Sequence, residues 1–173
     1  ALVWWLTEKT GSATILATST LVAMLPGIVI GPIAGVLVDR WNRKRVINIA
    51  DGVSALVAFI LALLFWQNLI EVWHIYVAMF VRSVAGSFQF PAVQSSTSLM
   101  VPDDQLARVQ GLNQMLQGIS MIVAPPLGAL MLSLMPFASI MAVDIFTALL
   151  AIVLVLIIRI PQPQQVDSKP TTL

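Results

Sequence analysis

Apolar residues run along this chain in five long blocks separated by short polar breaks. The blocks are Ser12–Val38, Val46–Trp66, Val72 to about Ser95, Asp103–Met135 and Phe137–Ile158. Each reaches the roughly 20 residues that cross about 30 Å of hydrocarbon at about 1.5 Å per residue. Ala1–Leu6 reads as the last turns of an earlier helix whose beginning is missing, ending in Trp4 and Trp5 before a polar loop at Thr7–Gly11. The Pro/Gln-rich stretch Pro161–Leu173 reads as an extended, poorly ordered linker. The pattern predicts an all-α membrane protein with five complete transmembrane helices. The bundle occupies residues 1–160 and a cytoplasmic linker occupies residues 161–173.

Composition agrees with that class. Of 173 residues, 58% are hydrophobic and 10% charged, whereas soluble domains carry about 25% charged residues. The net charge of +1, with its cations gathered at helix ends, offers no stripe for nucleic acid. With no cysteine, disulfides and Cys-ligated zinc are excluded. The opening residues lack the cationic stretch and cleavage site of a signal peptide.

Orientation follows from the turn between the first two complete spans, which carries Arg40, Arg43, Lys44 and Arg45. Lys and Arg accumulate on the cytoplasmic side, so the 39–46 loop is placed there, in a multi-pass protein of the cell membrane. By alternation Arg108, Arg159 and Lys169 also fall inside and only Lys9 falls outside, seven cations against one. Trp4, Trp5, Trp66 and Trp73 then lie at outer span ends and Trp41 at an inner one, where such rings prefer the interface.

An internal symmetry points towards function. Ser12–Val38 carries Gly27, Gly31, Pro32 and Gly35, and Asp103–Met135 carries Gly118, Pro125, Pro126 and Gly128. Counting the truncated helix first, these are the middle helices of two triplets of opposite direction. Gly/Pro-interrupted helices at matching positions of inverted repeats mark secondary transporters. The glycines also predict close packing through small faces.

Several charged residues invite individual readings. Asp39 followed by Arg40 and Arg43 can form charge-assisted bonds that brace the turn. Arg82, about 13 Å below Trp73 at helical rise, must face a cavity, backbone carbonyls or a carboxylate. Asp144 lies at similar depth on another helix, and a pair between the two is one of these options. Arg82 and Asp144 are taken as candidate residues of a transport path and its coupling. Asp51 is expected to pair with the basic loop, and Asp103 and Asp104 to cap the helix they precede. His74 has no second imidazole or cysteine to share a metal with. Catalysis finds no support: there is no Cys nucleophile and no phosphate-binding loop ending in Lys-Ser/Thr.

The same stretches resemble the major facilitator superfamily. Its signature loop between the second and third helices, Gly-x-x-x-Asp-Arg-x-Gly-Arg-Lys, is matched by Gly35, Asp39, Arg40, Arg43 and Lys44, with Asn42 where glycine is usual. Asn tolerates a left-handed turn conformation better than most residues. Arg82 matches the family's fourth-helix arginine. Gly111, Ser120, Ala124, Pro125, Gly128 and Ala129 follow the spacing of its fifth-helix antiporter motif. VPDDQLARVQGLNQ, residues 101–114, looks like the drug-exporting branch that includes macrolide efflux proteins. The resemblance implies an amino-terminal six-helix bundle and a missing carboxy-terminal six-helix half. It further implies alternating access, a loop that holds the outward-open state, and proton-driven export of amphipathic small molecules without a cofactor. The rivals are a channel or scaffold of oligomerised half-bundles, and an inactive fragment.

Overall fold

The computed structural model describes residues 2–157. The linker expected at residues 161–173, and Arg159 and Lys169 with it, lie outside them. Within them every regular element is a helix: α1 Leu2–Thr10, α2 Ala13–Arg40, α3 Arg43–Trp66, α4 Val72–Met100, α5 Asp103–Leu134 and α6 Phe137–Ile157.

Local chemistry sets the boundaries. Gly11 closes α1 at φ +58, a left-handed conformation that glycine adopts without strain, and its N–H donates to Thr7 O at 2.9 Å. Ser12 then caps α2 by accepting from Ile15 N. The polar stretch expected as a loop from Thr7 is therefore helical to Thr10, and the break is only two residues long. At the other end of α3, Asn68 takes the left-handed position at φ 56. At the start of α4, His74 Nδ1 accepts from Glu71 N at 3.1 Å, so the lone histidine serves as a helix cap.

Four helices among the described residues are long and apolar enough to cross a membrane: α2, α3, α5 and the Ser139–Ile157 part of α6. At 29 residues α4 is long enough too, but Arg82, Gln89, Gln94 and its run of Ser and Thr make it more polar. It packs between α2 and α3, and α6 packs on α3. Ser83 of α4 donates to Ala23 O of α2 and Tyr76 OH to Ile15 O, whereas its other serine and threonine hydroxyls bond within the helix. Ser87, Ser95, Ser96 and Thr97 each donate to a carbonyl four residues back, the local bonding open to a hydroxyl inside a helix.

Two apolar clusters hold the helices at opposite ends. Val38, Val46, Ile47 and Ala92, with Phe88 and Val155 against them, join α2, α3, α4 and α6 near the Arg40–Arg43 turn. Leu61, Ala78 and Met141, with Phe65, Phe137 and Leu2, join α3, α4, α6 and α1 at the far end. Close approach is made by alanines, not glycines. Ala78, Ala85 and Ala92 are buried at seven-residue intervals along α4, a spacing that keeps one helix face towards its neighbours. By contrast, a Cβ built at Gly31 or Gly128 would meet nothing within 4 Å. The expectation that these glycines mediate tight packing is thus corrected. The reason is geometric: α5 lies beside α6 with none of its described residues buried, and Gly27 and Gly31 face an open cleft towards Ser83 and Gly86.

Candidate functional site

The turn joining α2 to α3 is two residues long. Trp41 ends α2 in an extended conformation, its N–H donating to Leu37 O and Val38 O, and its ring stacks on Phe88 with centroids 6.1 Å apart. Asn42 begins α3, its Oδ1 accepting from Arg45 N at 3.1 Å. Asn42 sits at φ −68 and ψ 105, so its presence is explained by capping. No left-handed conformation is needed there.

The charges at this turn oppose their own helices. Asp39 lies at the C-terminal end of α2 and Arg43 at the first residue of α3, each against the local macrodipole. Both find partners elsewhere. Arg43 is 7% exposed. It donates to Ser95 O of α4 at 3.1 Å and stands 3.6 Å from Asp39 Oδ1. Lys44 Nζ donates to Leu156 O of α6 at 2.7 Å. Cations are favourable at carbonyls near helix C-terminal ends, so one turn staples α3 to two neighbours. The Asp39 side chain is 68% exposed. Its contact with Arg43 is the loose member of the set, because it is long and its acid faces solvent, which screens it to about 1 kcal/mol. Arg43 is anchored, and Asp39 can leave it cheaply. Of the other residues matched to the loop motif, Gly35 is half-buried in α2 and Arg40 is exposed.

Deeper in the bundle lie two polar pairs. Arg82 Nη1 of α4 donates to Asp144 Oδ2 of α6 at 2.5 Å, each side chain about one-third exposed at 32% and 33%. Of the partners that depth allowed for Arg82, the carboxylate is the one the structure supplies. Gln89 Nε2 of α4 donates to Asp51 Oδ1 of α3 at 2.5 Å. This corrects the expectation that Asp51 pairs with the basic loop: a neutral amide on the facing helix reaches it instead. Gln89 follows Arg82 by seven residues, so the two share a face of α4. That polar spacing was the available signal for Gln89. Removing the amide should leave the carboxylate short of a donor at a cost of about 1–3 kcal/mol. Gln89→Leu is therefore expected to lower the unfolding midpoint in detergent. Asp51→Asn, which keeps an acceptor, should lower it much less.

The candidate antiporter-motif residues are spread along one unburied helix. Gly111, Ser120, Ala124, Pro125 and Ala129 are exposed and Gly128 half-buried. Ser120 Oγ donates within α5 to Leu116 O at 2.8 Å. Asp103 and Asp104 fall inside the first turn of α5, after Pro102, so they favour the helix N-terminus by charge without being its cap. Among the described residues no group of three His, Cys, Asp or Glu could hold a metal.

The chain as a whole is similar to known proteins. The family model of the Major Facilitator Superfamily matches residues 1–173. Macrolide efflux protein A of Streptococcus pyogenes is 40% identical over 162 residues, covering 94% of this chain and 40% of that protein. The Enterococcus faecalis protein of the same name is 40% identical over 152 residues, covering 88% of this chain and 47% of that protein. Multidrug efflux pump Tap of Mycobacterium tuberculosis (strain CDC 1551 / Oshkosh) is 28% identical over 142 residues, covering 77% of this chain and 33% of that protein. The chain spans less than half the length of these curated relatives. No solved structure matches it. With a family match along its length and four helices able to cross a bilayer, the chain is a multi-pass membrane protein that belongs to the Major Facilitator Superfamily.

Proposed function

We propose that this chain is the amino-terminal bundle of a secondary active exporter of amphipathic drugs, working by alternating access against a carboxy-terminal bundle of similar size. In this reading α4 is a fifth span beside α2, α3, α5 and α6. The 39–46 loop lies in the cytoplasm, and the membrane is the cell membrane. A proton gradient drives export and no cofactor takes part. One observation carries the reading: Arg43 is fixed to α4 while its contact with Asp39 is long and exposed. A turn built that way can exchange Asp39 between Arg43 and an approaching helix at little cost. A topology anchor would need the cations but not this arrangement of the acid. The relatives named for macrolide and multidrug efflux support the substrate class.

Expression of the full-length gene in a drug-hypersusceptible bacterium tests it. The inhibitory concentration of a macrolide should rise several-fold, and a protonophore should restore drug accumulation. Unchanged susceptibility to macrolides and cationic amphiphiles, with the protein present in the membrane, would overturn the reading. Export that survives the protonophore would overturn the proton coupling.

A further inference from the structure

The cations of the α2–α3 turn are unequally used. Arg43 is buried against Ser95 O and Asp39, and Lys44 reaches Leu156 O. Arg40 and Arg45 are exposed, and their side chains make no hydrogen bond or ion pair among the described residues. A cation left unpaired at the edge of the hydrocarbon attracts an anionic headgroup.

What lies beneath Arg45 gives that attraction a shape. Ile49 and Val53 follow it by one and two helical turns, so the three share one face of α3. Ile49 and Val53 line an apolar cavity of about 490 Å³ between α3 and α4, closed on the far side by Phe80 and Val84, with Trp41 at its loop end. It continues into a second cavity of about 320 Å³ that shares Val53 and Val81 and ends at Trp73 and His74. From Val46 to Leu64 the groove runs about 27 Å at helical rise, so its loop-side half matches one leaflet of a hydrocarbon core roughly 30 Å thick. A tryptophan stands at each end, at interface height.

We propose that an anionic phospholipid occupies this groove, its phosphodiester between Arg45 and Arg40 and an acyl chain along Ile49 and Val53. Charge selects the headgroup. The turn holds four cations, and Asp39, its one carboxylate, faces Arg43 at 3.6 Å. A zwitterionic lipid would bring an ammonium group towards exposed arginines. Shape selects a lipid over a free phosphate, which would leave the apolar groove unused. The inference requires only that the chain sit in a bilayer, so it stands independently of the export reading.

The test uses the full-length protein in nanodiscs of phosphatidylcholine with or without phosphatidylglycerol, bound lipids being counted by native mass spectrometry. Wild-type protein should retain phosphatidylglycerol over phosphatidylcholine. Arg45→Gln should weaken that retention about five-fold, and Arg40→Gln with Arg45→Gln about thirty-fold, from roughly one lipid-charge contact per arginine. Ile49→Trp, which fills the mouth of the groove at an exposed position, should displace the lipid with both arginines intact. Equal retention by wild type and the double arginine variant overturns the proposal. So does retention unchanged by Ile49→Trp. Displacement by glycerol phosphate at matched concentration would reduce the site to an anion site and overturn the lipid assignment.

Discussion

Arg82→Ala should destabilise the folded protein by about 2–3 kcal/mol, and adding Asp144→Ala should recover most of that loss. The argument begins with geometry. The guanidinium and carboxylate meet at 2.5 Å between α4 and α6, and about two-thirds of each side chain is covered. Removing one member of a buried pair typically costs about 3–5 kcal/mol because the other charge is left uncompensated. Partial exposure places this pair below that range. Removing both members takes away the stranded charge, so the double variant should unfold closer to wild type than Arg82→Ala does. Arg82→Lys keeps the charge but loses the planar fork, and should fall between. Thermal unfolding in detergent measures these four proteins together with Asp144→Ala, the single variant that closes the cycle. Strictly additive losses would mean that the pair contributes nothing. Export separates structure from coupling. If Arg82 also serves the transport path, the double variant should fold and still fail to export. If it exports at the wild-type rate, Arg82 has a structural role only.

The sequence carried the helices well because their cause is local. Apolar blocks in a bilayer must satisfy their own backbone groups, and α2, α3, α5 and α6 therefore begin and end within a few residues of the blocks. It misjudged places where polar residues can stay helical. Thr7–Thr10 continues α1, and α4 continues past Ser95 to Met100, because Ser and Thr hydroxyls bond back to their own helix. Depth along each span brought Arg82 and Asp144 to the same level but could not choose between a carboxylate, carbonyls and water. That choice depends on which helices are neighbours, and α4 lies between α2 and α3 although it follows α3 in the chain. The same ordering gives Asp51 to Gln89 and leaves the Arg45 side chain without a partner among the described residues. Arg43 and Lys44 also reach the backbone carbonyls of Ser95 and Leu156, and a carbonyl has no residue signature to read. Glycine spacing misled for a related reason. A Cβ at Gly31 or Gly128 would meet nothing within 4 Å, and a glycine permits a close approach without requiring one.

The turn offers the sharper contrast, because stability and export should part company there. Asp39→Asn removes a contact of 3.6 Å from a side chain that is 68% exposed. Such pairs contribute about 0–1 kcal/mol, so the variant should insert and unfold much like wild type. If Asp39 exchanges partners as the bundles rock, the neutral amide loses the charge-assisted bond in every state, and export should fall to background. Arg43→Ala touches the same pair from the buried side. It removes a donor to Ser95 O and opens a cavity where the side chain was 8% exposed. A loss of about 2–4 kcal/mol is expected from truncating a buried, bonded side chain, with export lost alongside the fold. Measured together, the two variants divide the roles of the turn. A normal unfolding midpoint with no export in Asp39→Asn, beside a lowered midpoint in Arg43→Ala, assigns movement to the acid and anchoring to the arginine. Wild-type export by Asp39→Asn would sink the gate and leave the turn as an anchor that joins α3 to α4 and α6.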